Sequence, residues 1–310
     1  MRLAAVDVGT NSTRLLVAEV EDGRVAAQLA REMVITRLGL GVDRTRRFDP
    51  LALRRTLEVL AAYAATCERL GVAASRLVAT SATRDAVNRD EFLDGARRLG
   101  FEPEVLSGQA EAAATYAGAT FGLPDRGRRT LVVDVGGGST ELILGRQQPE
   151  ALCSLDIGCV RLTERHLRSD PPTAAELAAL RADVAAHLAT LPAGLDPATA
   201  ERVVGVAGTV TTVAALALGL DAYDPARIHH APVAAGQIAA VAARLAAMPT
   251  AARAGLPVMA KGREDVIAAG AVLLDELCRR FAFAEVIASE ADILDGVLLG
   301  LLGRLRGAPR

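Results

Sequence analysis

One stretch of this chain occurs twice. The run Asp7-Val8-Gly9-Thr10-Asn11-Ser12-Thr13-Arg14 is matched by Asp134-Val135-Gly136-Gly137-Gly138-Ser139-Thr140-Glu141, with Asp, Val, Gly, Ser and Thr at the same places. Each copy follows a short apolar run (3–6; 131–133) and leads into another (15–20; 142–144). Such a pattern reads as a strand, a tight glycine turn and an antiparallel strand. Two well-separated copies in a chain of 310 residues call for two domains with similar cores, each presenting the same turn.

The rest of the chain alternates. Helical patterns over 50–70, 89–99, 108–120, 173–191, 235–248 and 263–280 are interleaved with strand candidates at 76–79, 104–106, 203–206 and 285–288. Strands alternating with helices indicate an α/β protein. The stretch 122–129, rich in Gly, Pro and Arg, is the natural hinge. It gives an N-terminal domain over 1–122 and a C-terminal domain over 128–310, whose last helix could pack back on the first.

Composition narrows the function. The apolar fraction of 51% is ample for a core, and the formal net charge is −2. A nucleic-acid binder would show a basic excess with aromatic platforms, but aromatics are 3% and Trp is absent. Lys261 is the one lysine among many arginines, a bias of composition. Cys67, Cys153, Cys159 and Cys278 are scattered without zinc or disulfide spacing, as expected in a reducing compartment. Asp7 interrupts the apolar N-terminus, which leaves no secretory signal. The apolar run 203–220 is divided by Gly205, Gly208 and Thr209 and reads as strand, turn and helix, not as a membrane span. A soluble cytoplasmic protein is expected.

The turns suit phosphate. In the second copy, consecutive glycines, Gly137 and Gly138 among them, let backbone N–H groups converge on an anion, and Ser139 and Thr140 add hydroxyls. Asp134 and Glu141 bracket that turn and could hold Mg²⁺, a hard cation. The first copy offers Asp7, Gly9, Thr10, Asn11 and Ser12, with Arg14 either a phosphate ligand or a strand-edge charge. A third turn, Val206-Ala207-Gly208-Thr209-Val210-Thr211-Thr212, places Gly208 and Thr209 at a helix N-terminus, where anions are favoured. The alternative for any one turn is an ordinary glycine hairpin; the repetition favours phosphate.

Paired Asp-Gly turns with a later Gly-Thr turn resemble the ribonuclease H-like, actin-like ATPase fold of sugar kinases, Hsp70 and actin. The wording is closer to the exopolyphosphatase/guanosine pentaphosphate phosphohydrolase (Ppx/GppA) family. The resemblance rests on Asp7–Ser12, the run from Ala79 to Asn88, Leu106-Ser107-Gly108-Gln109-Ala110-Glu111-Ala112, Asp134–Glu141, the run from Gly208 to Thr212, Arg263-Glu264-Asp265 and the run from Ser289 to Gly296. It implies an active cleft between two duplicated domains and a short form of the family. By that resemblance Glu111 is the catalytic acid, and Arg84 and Arg263 contact phosphate beside Asn11, Ser12, Gly137, Gly138, Ser139, Thr140, Gly208 and Thr209. Asp134 and Glu141 are metal-associated, with Asp7 either assisting or structural. Glu290 and Asp292 belong to a family motif, but a solvated or capping role fits them equally. The family often has a second acid just before Glu111; here that place is Ala110.

The implied activity is Mg²⁺-dependent hydrolysis of terminal phosphoanhydride bonds of inorganic polyphosphate, with K⁺ a further ion and a homodimer a further state that the family allows. Three alternatives stay open. The site could act on guanosine pentaphosphate, transfer phosphate as a kinase, or bind guanosine tetra- or pentaphosphate as a non-catalytic sensor. A Walker A loop is ruled out, because Gly262 follows Lys261 where Ser or Thr would be required. The four histidines lack metal-protease spacing, and Arg44, Arg46 and Arg47 form a small basic loop that could steer a polyanion or simply be solvated.

Overall fold

A computed structural model describes residues 1–22, 24–125 and 127–307. Arg126, inside the stretch read as a hinge, and the last three residues of the expected second domain lie outside the described residues. The chain forms two compact units, Met1–Phe121 together with the segment from Asp292 onward, and Gly122–Ala291.

The first unit holds one sheet of β1 (Arg2–Val8), β2 (Ser12–Glu21), β3 (Arg24–Ile35), β4 (Ala74–Ala79) and β5 (Pro103–Val105), in the order β3-β2-β1-β4-β5. Strands β1, β2 and β3 run antiparallel, whereas β4 and β5 continue parallel to β1. The central β1 is apolar on both faces because both are covered. Val6, Leu15, Leu60 and Phe92 fill one layer, with the helices Pro50–Arg69 and Arg89–Arg98. Leu3, Ala5, Leu16, Ile293 and Val297 fill the other, with the helix Ile293–Gly307. Alternate residues of β1 thus serve opposite layers.

The second unit holds β6 (Thr130–Val135), β7 (Thr140–Gly145), β8 (Pro149–Leu155), β9 (Arg202–Val206), β10 (Pro232–Ala234) and β11 (Glu285–Ala288), in the order β10-β11-β9-β6-β7-β8. Its β6-β7-β8 meander and the parallel neighbours β9 and β11 repeat the arrangement of the first sheet. This doubled order is the ribonuclease H-like arrangement. The helix Ile267–Phe281 is buried through its apolar first half, Ile267–Leu274, and reaches solvent at Arg279 and Arg280.

Several local expectations shift. The helix expected from 263 begins at Ile267, because the Glu264 carboxylate accepts the Gly262 N–H at 2.6 Å and holds 262–266 as a turn. β3 escaped the sequence pattern because it is an edge strand with largely exposed residues and no alternating apolar face. The run 203–220 becomes β9 followed at once by the helix Ala207–Ala217. Among the described residues no helix is long and apolar enough to cross a membrane.

The helices Gly108–Ala119 and Ile293–Gly307 meet backbone to backbone. A β-carbon on Gly296 would overlap the carbonyl oxygen of Ala114, and one on Gly118 would overlap that of Asp292. Gly296→Ala should therefore destabilise the protein by roughly 1–3 kcal/mol, because the forced separation outweighs the helix propensity gained, about 1 kcal/mol. Urea unfolding of the variant measures the loss; an unchanged or raised midpoint would show that the helices part freely.

Candidate functional site

The two copies of the repeat are two hairpins in identical register. Val8 faces Thr13 and Asp7 faces Arg14; Val135 faces Thr140 and Asp134 faces Glu141. The Gly9 N–H donates to the Ser12 carbonyl at 2.9 Å, and the Gly136 N–H donates to that of Ser139 at 3.1 Å.

In the first unit the turn is held from outside by its carbonyls. That of Thr10 accepts the Gly39 N–H at 2.8 Å, and that of Asn11 accepts the Arg37 N–H at 2.9 Å. A trans peptide directs the next N–H the opposite way. The amides of Asn11 and Ser12 therefore face away from the 37–39 loop. Arg37 adopts a left-handed φ of 55°, a strained backbone for a residue with a side chain, which this bond helps to hold. Tyr63 reaches across to donate to the Thr13 carbonyl at 2.9 Å.

Asp7 is buried. Its Oδ2 accepts from Arg14 Nη2 at 2.7 Å and Nε at 3.0 Å, whereas Oδ1 has no partner. Burial raises its carboxyl above the ordinary value, against the pull of Arg14. Asn11 Oδ1 is likewise buried without a partner. Arg14 also pairs with Asp292, and Arg31 pairs with Asp295 at 2.9 Å. Arg14, left open between a phosphate ligand and a strand-edge charge, is placed between two aspartates. Asp292 also caps its own helix, accepting the Leu294 N–H at 3.0 Å.

Glu111 stands in the first turn of Gly108–Ala119, a helix capped by Ser107, whose Oγ accepts the Ala110 N–H at 3.1 Å. The side chain is buried, and Oε2 accepts from Arg84 Nη1 at 2.5 Å; the same nitrogen donates to the Leu106 carbonyl at 3.0 Å. Burial pushes the Glu111 carboxyl above the usual carboxylate range, the Arg84 guanidinium opposes it, and the Asp7 charge adds to it. Arg84, expected on phosphate, is thus placed on Glu111. Asp7, Arg14, Arg84 and Glu111 form one electrostatic group, in which the second acid is Asp7 and not the neighbouring position, Ala110.

In the second unit the helix Cys159–His166 grips the glycine turn. The Cys159 N–H donates to the Gly136 carbonyl at 2.9 Å, the Val160 N–H to that of Gly137 at 2.9 Å, and Arg161 Nε to that of Gly138 at 2.8 Å. By the same peptide geometry the amides of Gly137, Gly138 and Ser139 face away from this helix. Asp134 and Glu141 share a face as direct cross-strand partners, both buried, and Glu141 Oε1 accepts from Ser154 Oγ at 2.7 Å. Like charges opposite each other are unfavourable in a sheet and are relieved by a cation. Thr140 differs from expectation. Its hydroxyl donates to the Ile157 carbonyl at 2.6 Å inside the fold, because Thr140 alternates with Glu141 across the strand.

The third turn opens the helix Ala207–Ala217 with Ala207 at φ 71° and no side-chain cap. Arg263 lies against it, so close that a β-carbon on Gly208 would overlap the guanidinium; its Nη1 donates to Thr212 Oγ1 at 2.8 Å. A buried cation at the positive end of a helix is electrostatically unfavourable by itself. Gly208, Thr209 and Arg263 thus stand together at this helix N-terminus. Tyr223, which the sequence did not single out, donates to Glu290 Oε1 at 2.6 Å near the same helix start. Burial raises the nearby Cys159 thiol to about 11, which leaves it protonated and unreactive.

Metal candidates stand in both units, Asp7 with its unpartnered Oδ1 in one, and Asp134 and Glu141 in the other. Among the described residues no group of three or more His, Cys, Asp or Glu side chains has the arrangement of a metal site. The carboxylates of either unit are of the kind that suits Mg²⁺, which is held through one or two carboxylates with water and substrate phosphate completing the shell.

These features define a phosphate-handling α/β protein. The chain matches the Ppx/GppA phosphatase family over residues 16–305 and belongs to it. It is 44% identical to Exopolyphosphatase 2 of Mycobacterium tuberculosis over 97% of this chain and 99% of that one. It is 38% identical to a guanosine-5'-triphosphate,3'-diphosphate pyrophosphatase of Vibrio atlanticus, over 55% of this chain but 34% of that one. Its fold superposes on the crystal structure of an exopolyphosphatase-like protein with a TM-score of 0.95 at 37% identity, covering 99% of both chains.

The grip on the glycine turn depends on Gly158, where a β-carbon would overlap the Gly137 carbonyl oxygen. Gly158→Ala should push the helix off the turn, lower stability by roughly 1–3 kcal/mol and speed amide exchange at 137–139. Hydrogen exchange read by mass spectrometry checks this; unchanged protection in the turn would mean that the helix does not hold it.

Proposed function

We propose that this protein is an exopolyphosphatase of the cytoplasm, hydrolysing terminal phosphoanhydride bonds of inorganic polyphosphate to release orthophosphate. The near full-length identity to Exopolyphosphatase 2 supports the substrate. The observation that carries the chemistry is Glu111, a buried carboxylate in the first turn of its helix, held by Arg84 and with its proton affinity raised by burial.

In this reading the amides of Asn11, Ser12, Gly137, Gly138 and Ser139 and the Gly208–Thr209 corner bind phosphate oxygens, with Arg263 neutralising their charge. A divalent cation, Mg²⁺ by the chemistry of Asp134, Glu141 and Asp7, when bound neutralises charge on the phosphates. Glu111 takes a proton from water as the water oxygen bonds to the terminal phosphorus. The bridging P–O bond breaks, and the chain leaves one unit shorter. A sensor would need no such base. The partial likeness to the Vibrio protein makes guanosine pentaphosphate the natural competing substrate.

The test is orthophosphate release from short polyphosphate, long polyphosphate and guanosine pentaphosphate, with Mg²⁺ or EDTA. Metal-dependent release, fastest from polyphosphate and reduced at least about 100-fold by Glu111→Ala, is expected. Faster release from the nucleotide would reassign the substrate, and no release from any of the three would overturn the hydrolase reading. Because the base must be ionised, kcat/KM should rise with pH and fall as pH drops through a value above 4.5, the ordinary value for Glu. An acid limb below that value would remove Glu111 from the base role. Arg263→Ala should weaken inorganic phosphate binding by about 10-fold or more, read by calorimetry.

A further inference from the structure

The geometry points to Arg84 as a latch on Glu111 that incoming phosphate releases, so that the base is freed only when a phosphoryl group has arrived. This inference rests on the hydrolase reading for Glu111 and goes beyond it in saying when that residue becomes competent.

The contact that motivates it is short and buried. Arg84 Nη1 lies 2.5 Å from Glu111 Oε2, with 23% of the arginine side chain and 10% of the glutamate side chain exposed. A carboxylate oxygen in a charge-assisted bond to a guanidinium is a poor base, because its lone pair is occupied and its charge neutralised. Full basicity at that oxygen returns only when the guanidinium leaves.

What would draw it away is also defined. Phosphate oxygens carry more charge than a carboxylate and match the guanidinium fork, so phosphate competes for an arginine effectively. Arg84 need not travel far. It projects from the short helix Ser81–Asp85 directly after β4, and β4 is the parallel neighbour of β1, whose end carries the Gly9–Ser12 turn. The bond from Nη1 to the Leu106 carbonyl at 3.0 Å gives it a second anchor, so a modest rotation exchanges one acceptor for another.

Release would sharpen the base it uncovers. The charged groups acting on Glu111 are Arg84 and Arg14, which favour its ionised form, and Asp7, which disfavours it. Arg14 is engaged with Asp7 and Asp292. Once Arg84 turns to phosphate, burial and the Asp7 charge act on Glu111 with less opposition. Its proton affinity then rises at the moment a water must be deprotonated. Arg84 is on this account a positioning residue that acts through Glu111.

Carbon-13 NMR of the full chain labelled at the Glu carboxyls, with Glu111→Gln to assign the resonance, decides the matter. In the wild type, saturating orthophosphate should raise the Glu111 titration midpoint by about one unit or more. In Arg84→Gln, and in the charge-retaining Arg84→Lys to a smaller degree, the midpoint should start high and move little when phosphate is added. An equal upward step in Arg84→Gln would overturn the latch, because the phosphate charge alone would then explain the shift. No step in the wild type, or no binding of orthophosphate at all, would overturn it too. The hydrolase reading fails separately, by absence of orthophosphate release from all three substrates, whatever the titration shows.

Discussion

Peptide carbonyls, not side chains, fix the geometry on which the candidate site depends. In one unit Arg37 and Gly39 hold the carbonyls of Asn11 and Thr10; in the other, residues 159–161 hold those of Gly136, Gly137 and Gly138. Because the peptide is planar, each carbonyl tied back turns the following N–H outward. Donors arranged this way are paid for during folding and need no reorganisation when an anion arrives, which is the condition for effective electrostatic stabilisation. The glycines permit the close approach, while the neighbouring loop and helix make it rigid.

The two copies then diverge in charge at one position. Opposite the shared aspartate, the first hairpin has Arg14 and the second Glu141. The same cross-strand geometry gives an ion pair in one unit and two facing carboxylates in the other. An ion pair completes itself, although it leaves Asp7 Oδ1 without a partner. One hairpin thus carries a cross-strand ion pair and the other two facing acids.

Much of this was legible in the sequence, for a physical reason. The repeat gave away the two hairpins, and with them Asp134 and Glu141 as the acids that bracket one turn, whereas the pairing of Arg14 with Asp7 was not read from it. Glu111 was placed by the motif around it. Long-range side-chain partners were not legible. Nothing local says that Arg84 bonds Glu111, that Arg14 bridges to Asp292, or that the Thr140 hydroxyl points to Ile157. Thr140 illustrates the limit, since strand alternation puts it and Glu141 on opposite faces and only one face can serve the site. The late start of the helix at Ile267 was hidden because its turn is set by Glu264 bonding two residues back, a choice that apolar periodicity does not record.

The end of the chain links fold and chemistry in the first unit. Asp292 opens the segment that returns to this unit, and its carbonyl packs against Gly118 on the helix that carries Glu111. Its carboxylate meanwhile engages Arg14, which holds Asp7. One residue therefore touches the supports of both acids, through backbone packing on one side and charge on the other. Moving the helix Ile293–Gly307 would shift Glu111 through Gly118 and loosen Asp7 through Arg14 together. The tight glycine crossing at Gly296 is on this view a device for precision at Glu111 as much as for stability, because backbone contacts leave less play than flexible side chains.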